Sequence, residues 1–237
     1  MLKANTDISS ETDFVEGQVL LFHKPLRWSS FDVVKKVRNI IKNACNLKKI
    51  KVGHAGTLDP LADGLLIICT GKFTKRIEEI QSQKKIYMGQ LSLGGTTPSY
   101  DRETEVNKTF ETSHINNDLL NETCKKFEGK IMQKPPIFSA LKRGGKRLYQ
   151  HAREGTNIEV KAREVEIEKF EITDINIPFL EFKVSCGKGT YIRSLAHDFG
   201  RELKCGAYLT SLTREQIGNY KLDSAYTIDY FQEKILK

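Results

Sequence analysis

Gly53-His54-Ala55-Gly56-Thr57-Leu58-Asp59-Pro60-Leu61-Ala62-Asp63-Gly64, followed at once by Leu65-Leu66-Ile67-Ile68-Cys69, is the stretch that decides how this chain folds. Residues 51–64 are rich in Gly, Asp and Thr and carry one Pro, the composition of a loop. The aliphatic run after them suits a short buried strand. Three Gly and a Pro give the loop an unusual backbone path, and it holds one His and two carboxylates. Asp-Pro and Asp-Gly are common turn dipeptides, so read alone the segment is a turn. The other reading is a rigid loop that presents Asp59 into a cleft, because catalytic groups tend to sit on loops held by a scaffold.

Upstream, residues 19–22 predict a short strand. Ser29 and Ser30 can cap a helix on which Val33, Val37, Ile40 and Ile41 share one face and Lys35, Lys36, Arg38 and Lys42 the other. Downstream, residues 73–80 predict a helix, 86–93 an alternating strand ended by Gly94-Gly95, and 115–127 a helix. Val165, Ile167, Phe170 and Ile172 suggest a strand with a break in register. Leu180, Phe182, Val184 and Cys186 alternate as a half-buried strand, and Gly187-Lys188-Gly189 is a turn. Residues 191–203 read as a helix, 208–220 as a strand region and the C-terminal residues as a short helix. Strands joined by hairpins and interleaved with helices point to an α+β domain with a largely antiparallel sheet. Residues 1–16, polar and acidic, read as a flexible tail, and 17–237 as one domain. There is no internal repeat.

Lys and Arg number 38 against 30 Asp and Glu, a net charge of +8 with a pI near 9.1, which makes a polyanion partner plausible. The whole excess lies in residues 125–163, where eleven basic residues meet three acidic ones. Phe138, Tyr149, two Pro and a Gly-Gly pair are interleaved with them, which suits an arm closing on phosphates and bases; a solvated loop would look similar. The five Cys are odd in number and lack Cys-x-x-Cys spacing, so neither a disulfide framework nor a metal site is suggested, and a reducing cytoplasm fits. The N-terminus has no signal-peptide character and no aliphatic run is long enough to span a bilayer. No membrane association is expected.

Five segments in order carry a family resemblance from about residue 19 to residue 220. They are Lys24-Pro25 with Trp28-Ser29-Ser30, the loop around Asp59, Lys85-Ile86-Tyr87, Pro135-Pro136-Ile137-Phe138-Ser139-Ala140-Leu141-Lys142 with Gly145-Lys146-Arg147-Leu148-Tyr149, and Lys188-Gly189-Thr190-Tyr191-Ile192-Arg193-Ser194-Leu195. Together they resemble the TruB family of pseudouridine synthases, which act on uridine 55 in the T-loop of tRNA. The resemblance implies the pseudouridine-synthase fold: a central, largely antiparallel mixed sheet flanked by helices, with a catalytic cleft and a basic thumb loop at about residues 128–155. It implies no cofactor and no metal. It makes Asp59 the nucleophile, Tyr87 the ring that stacks on the flipped uracil and a candidate base for the C5 proton, Arg193 the partner of the nucleophile, and Asp101 the residue that orients Arg193. Tyr191 and Leu212 match pocket walls, and His54 matches a residue that fills the space left by flipped bases. Lys24 matches a supporting position near the site, and Lys142, Lys146 and Arg147 belong to the RNA-binding thumb. Attack at C1′, attack at C6 and a glycal route all remain open.

Two departures from the family pattern stand out. Many members have Asp before the Lys-Pro and Gly two residues after it; here the residues are His23 and Arg27, so the first turn is expected to be supported differently. Many bacterial members also continue into a C-terminal PUA domain, whereas this chain stops at Lys237. Recognition is therefore expected to rest on the thumb and the basic helix, with the thumb mobile until RNA orders it. The expected partner is the T-arm of tRNA, with no obligate protein partner and a monomeric state. A non-catalytic tRNA-folding chaperone could use the same RNA-binding surface, but would not need Asp59, Tyr87, Arg193 and Asp101 together. A methyltransferase lacks support, since no Gly-rich strand-turn-helix nucleotide site is present.

Overall fold

The first strand, Val19–Lys24, is apolar enough to be buried along all but one position. It opens a computed structural model that describes residues 8–139, 141–154 and 160–236. In chain order the elements are β1 (Val19–Lys24), α1 (Ser30–Ala44), β2 (Val52–His54), β3 (Asp63–Thr70), α2 (Ile77–Ser82), β4 (Lys85–Leu93), β5 (Gly95–Thr96), β6 (Lys108–Thr109), α3 (Asn117–Lys126), β7 (Gly129–Gln133), β8 (Lys142–Arg143), β9 (Lys146–Arg147), α4 (Leu148–Arg153), β10 (Arg163–Asn176), β11 (Phe179–Cys186), α5 (Ile192–Glu202), β12 (Ala207–Ile217), β13 (Tyr220–Lys221) and α6 (Ile228–Leu236). The chain divides into two compact units, Met1–Tyr87 with Leu212–Lys237, and Met88–Ser211. The sequence offered no boundary there because the division falls inside strands, at β4 and β12, rather than in a polar linker.

In the first unit β3 is the central strand. It runs antiparallel to β1, with Val19 opposite Cys69 and Lys24 opposite Gly64, and antiparallel to β2 at its far end. It runs parallel to β12, with Thr213 opposite Asp63. Leu65 to Cys69 are fully buried, as a strand enclosed on both faces must be. Helix α1 begins with a capping box between Ser29 and Asp32 and buries Val33, Val34, Val37, Ile40 and Ile41 against β1, β3 and α6. Each such side chain contributes about 1.5–3 kcal/mol when fully buried, which far exceeds what intrinsic propensity supplies. Ile8 and Phe14 join this core at 3% and 1% exposure. Residues 8–16, expected to be part of a flexible tail, are thus anchored by two apolar side chains that their polar neighbours obscured; residues 1–7 lie outside the described residues.

In the second unit the strand order is β12-β4-β11-β10-β7. The β10–β11 hairpin is antiparallel, with irregularities between Ile167 and Lys169 and between Ile172 and Asp174, where the apolar pattern changes phase. Helices α3 and α5 are packed by Phe127, Phe170, Phe182 and Phe199, whose ring centroids lie 5.2 to 6.5 Å apart. The basic segment is not all arm: β7 pairs antiparallel with β10, so the expected thumb begins after Gln133. The antiparallel pairings, the parallel pairing of β12 with β3 and the flanking helices give the α+β architecture expected. Among the described residues no helix is long and apolar enough to cross a membrane.

Candidate active site

Asp59 is held from both sides by the segment that starts α1. Ser30 Oγ accepts the Leu58 N–H at 2.8 Å and donates to the Leu58 carbonyl at 3.1 Å. The Arg27 N–H donates to the Pro60 carbonyl at 2.7 Å. The residues immediately before and after Asp59 are therefore pinned, and the half-buried Asp59 sits between the pins. A third brace is Arg214, only 1% exposed. Its Nε donates to the Leu65 carbonyl at 2.8 Å, and its terminal nitrogens donate to the carbonyls of Gly56 at 3.0 Å and Thr57 at 3.4 Å. A fixed guanidinium fork is suited to gathering several carbonyls at once.

The two carboxylates of the loop are placed differently. Asp63 accepts the Thr213 hydroxyl at 2.6 Å and opens β3, a structural task. Gly64 follows it at φ +100°, and a β-carbon there would lie 2.5 Å from the Arg214 carbonyl oxygen, so only Gly lets β3 and β12 approach. Beside the loop, Lys24 is fully buried, and its Nζ donates to the carbonyls of Pro25 at 2.9 Å and Trp28 at 2.6 Å. Burial lowers its pKa to about 8 against the opposing pull of Asp63 and Asp59. Lys24 thus ties off the turn that leads to α1. His54 closes β2, half-buried, and burial lowers its pKa despite a hydrogen bond to the Gly56 backbone; its Nδ1 has no hydrogen-bond partner among the described residues. Tyr87 and Leu212 are each buried at 8% exposure, at the ends of the first unit's two chain segments.

The second unit carries the other group. Arg193, at the start of α5, meets Asp101 with Nε to Oδ2 at 3.5 Å, and both side chains are at most 7% exposed. One of its terminal nitrogens donates to the Ser99 carbonyl at 3.3 Å. The turn that delivers Asp101 is fixed by Tyr100, which has φ 65° and stacks its ring on His197, 3.9 Å between centroids and 15° between planes. Arg193 and His197 lie one turn apart on α5, so one helix face grips two successive residues of the turn. Gln133, 1% exposed, accepts the Tyr191 N–H at 2.8 Å and donates to its carbonyl at 3.1 Å, and Arg163 lies over the Tyr191 ring at 5.0 Å. In the thumb, β8 and β9 form a two-residue hairpin with Lys142 opposite Arg147. Lys146 is exposed and pairs with Glu154 at 3.3 Å, and Arg147 is exposed. The Lys142 side chain lies outside the described part of the structure, as do residues 140 and 155–159.

The model of the TruB family of pseudouridylate synthases (N-terminal domain) matches residues 42–192. The chain is 56% identical over 224 residues to the tRNA pseudouridine synthase B of Flavobacterium johnsoniae, covering 94% of this chain and 98% of that one. It is 50% identical to the protein of the same name from Phocaeicola vulgatus, covering 93% and 94%. This chain belongs to the TruB family. Its fold also matches a chain in the crystal structure of a Cbf5-Nop10-Gar1 complex, with TM-score 0.69, 26% identity, 98% of this chain covered and 65% of that one. As a TruB family member it is of the isomerase class, and its departures from the family pattern acquire a physical reading. Arg27 has φ 68°, a left-handed conformation that Gly adopts freely and a residue with a β-carbon does not. His23 is exposed on β1, and its backbone N–H donates to the Tyr226 carbonyl at 2.9 Å.

Two residues that brace the candidate site were missed from sequence. Ser30 was read only as a helix cap, and its pairing with Leu58 spans 28 residues. Arg214 went unremarked, although it lies in the inward phase of β12 between the buried Leu212 and Ile217. A cation in the buried register of an apolar strand is a readable signal, because such a charge requires partners.

Proposed function

We propose that this chain converts uridine 55 in the T-loop of tRNA to pseudouridine, with Asp59 as the nucleophile. The bracketing of Asp59 by Ser30 and Arg27 carries the reading, since a turn of purely structural use does not need its carboxylate residue pinned on both sides. The tRNA substrate is taken from the names of its relatives. The reaction breaks the N1–C1′ bond, turns the uracil and forms C5–C1′; the proton leaving C5 balances the one gained at N1, so no redox partner is needed. The target base must leave the T-loop stack, at a cost of a few kcal/mol. His54, kept neutral by burial, is the side chain assigned to fill the space it leaves. Tyr87 is assigned to stack on the flipped uracil and accept the C5 proton. The buried Asp101–Arg193 pair is assigned to the same reaction, Tyr191 and Leu212 to the pocket walls, and Lys142, Lys146 and Arg147 to RNA phosphates. No obligate protein partner is invoked, and the cytoplasm is the proposed compartment.

The test is incubation with unmodified tRNA transcript and mapping of pseudouridine. Wild type is expected to modify position 55, and Asp59→Asn to bind the RNA without forming product. Absence of product with wild type would sink the function, and an active Asp59→Asn would sink the nucleophile alone.

A further inference from the structure

A groove of about 420 Å³ lies between the first turn of the chain and α1, lined by Arg27, Trp28, Asp32, Lys35, Lys36 and Asn39. Three cations face one carboxylate. That carboxylate also caps α1: Asp32 accepts the Ser29 N–H at 2.9 Å and the Ser29 hydroxyl at 2.6 Å. Three cations against one carboxylate leave the groove net positive beside an aromatic ring. Arg27 is exposed, yet its backbone has φ 68°. A backbone outlier at an exposed residue with a long cationic side chain points to a use for that side chain. The groove also adjoins the chemistry, because the Arg27 N–H is bonded to the carbonyl of Pro60, the residue after Asp59.

We infer that this groove is a second RNA subsite, which takes the phosphate backbone of the substrate strand flanking the modified uridine, with Arg27 as its leading contact. The inference rests on the function proposed above and deepens it: it names how the first unit of the chain grips RNA independently of the thumb. Phosphate contacts made by Arg and Lys position a nucleic acid without reading its sequence. A strand whose uridine reaches Asp59 brings its neighbouring phosphates to the groove's mouth. An acidic peptide would satisfy the charge but has no reason to lie beside a nucleophile that acts on ribose or base.

Binding of unmodified tRNA transcript is measured across a salt series, on full-length Asp59→Asn protein with and without Arg27→Gly, so that no turnover intervenes. Trp28, the only Trp in the chain, reports from inside the groove by fluorescence, and filter binding reports independently. Loss of one charge-assisted hydrogen bond predicts about tenfold weaker binding. The salt slope is expected to fall by about one. The melting temperature of Arg27→Gly is expected to equal or exceed that of its parent, since strain is relieved; this separates a lost contact from a damaged fold. Lys48→Ala removes an exposed cation outside the groove and is expected to change neither affinity nor slope. Undiminished affinity and slope in Arg27→Gly would overturn the subsite, as would an equal loss in Lys48→Ala or stronger displacement of Trp28-reported RNA by polyglutamate than by unlabelled RNA. A wild type that makes no pseudouridine overturns the function separately, and the binding arm still decides the groove.

Discussion

Replacing Ser30 with Ala tests whether the rigidity of the Asp59 loop serves catalysis. Ser30 is 2% exposed, and its hydroxyl both accepts from and donates to Leu58. Alanine removes both bonds and leaves the Leu58 N–H buried beside a small void that water cannot easily fill. An unsatisfied buried donor costs about 1–3 kcal/mol, and the carbonyl, with its second lone pair, adds less. The expected loss of stability is therefore about 2 kcal/mol, read as a lower urea midpoint at unchanged slope. The catalytic consequence is separate: the residue before Asp59 loses its link to α1, while the loop keeps Arg27 on the Pro60 carbonyl and Arg214 on the Gly56 and Thr57 carbonyls. Misplacement of a reacting group by about 1 Å costs on the order of 10²-fold in rate. Single-turnover conversion of saturating tRNA transcript should fall by that order, while the RNA dissociation constant stays as it was. A variant that loses the stability but turns over at the wild-type rate would refute the link between this brace and the chemistry.

Lys24→Met is expected to alter the pH dependence of stability. The Lys24 pKa falls from 10.5 to about 8 on folding, so below pH 8 both states carry the proton and the cost of burying the charge is fully present. Between pH 8 and 10.5 the unfolded chain holds more protons than the folded one, and wild-type stability rises relative to the variant by about 3 kcal/mol in total. Paired denaturant titrations at pH 7 and pH 10.5 check this, and a constant difference would contradict it. Asp101→Asn removes the carboxylate charge that faces the buried Arg193 guanidinium, which predicts lower stability and loss of pseudouridine formation, read by thermal melts and product mapping. Amide exchange in β8, β9 and α4 is expected to be faster than in β3 and to slow when tRNA binds; protection equal to that of β3 in the free protein would argue against an ordering thumb.

The local elements were legible because their patterns are local. The apolar face of α1, the cap at Ser29, the buried run from Leu65 to Cys69 and the phase break in β10 each follow from neighbours a few residues apart. The β7 strand was hidden because its residues, Gly129 to Gln133, are exposed except at the half-buried Ile131 and the buried Gln133, and pairing with β10 rather than burial makes them a strand. Phe14 and Ile8 were hidden in the opposite way: two apolar residues among polar ones do not make a period, but two are enough to anchor a segment to a formed core.

The candidate site divides along the same line. Asp59, Tyr87, Asp101 and Arg193 were named through resemblance, and no property of their immediate neighbours distinguishes a nucleophile from a turn carboxylate. What distinguishes Asp59 from Asp63, four residues later in the same loop, is which partners arrive from far along the chain. Thr213 reaches Asp63 across 150 residues and makes it a strand anchor, whereas Ser30 reaches Leu58 across 28 and fixes the backbone next to Asp59. Ser30, Arg214 and Arg27 brace the backbone at residues 56, 57, 58 and 60. A loop so braced is rigid around Asp59, and Arg27, with its left-handed backbone and its place in the groove, belongs to that same set of fixings.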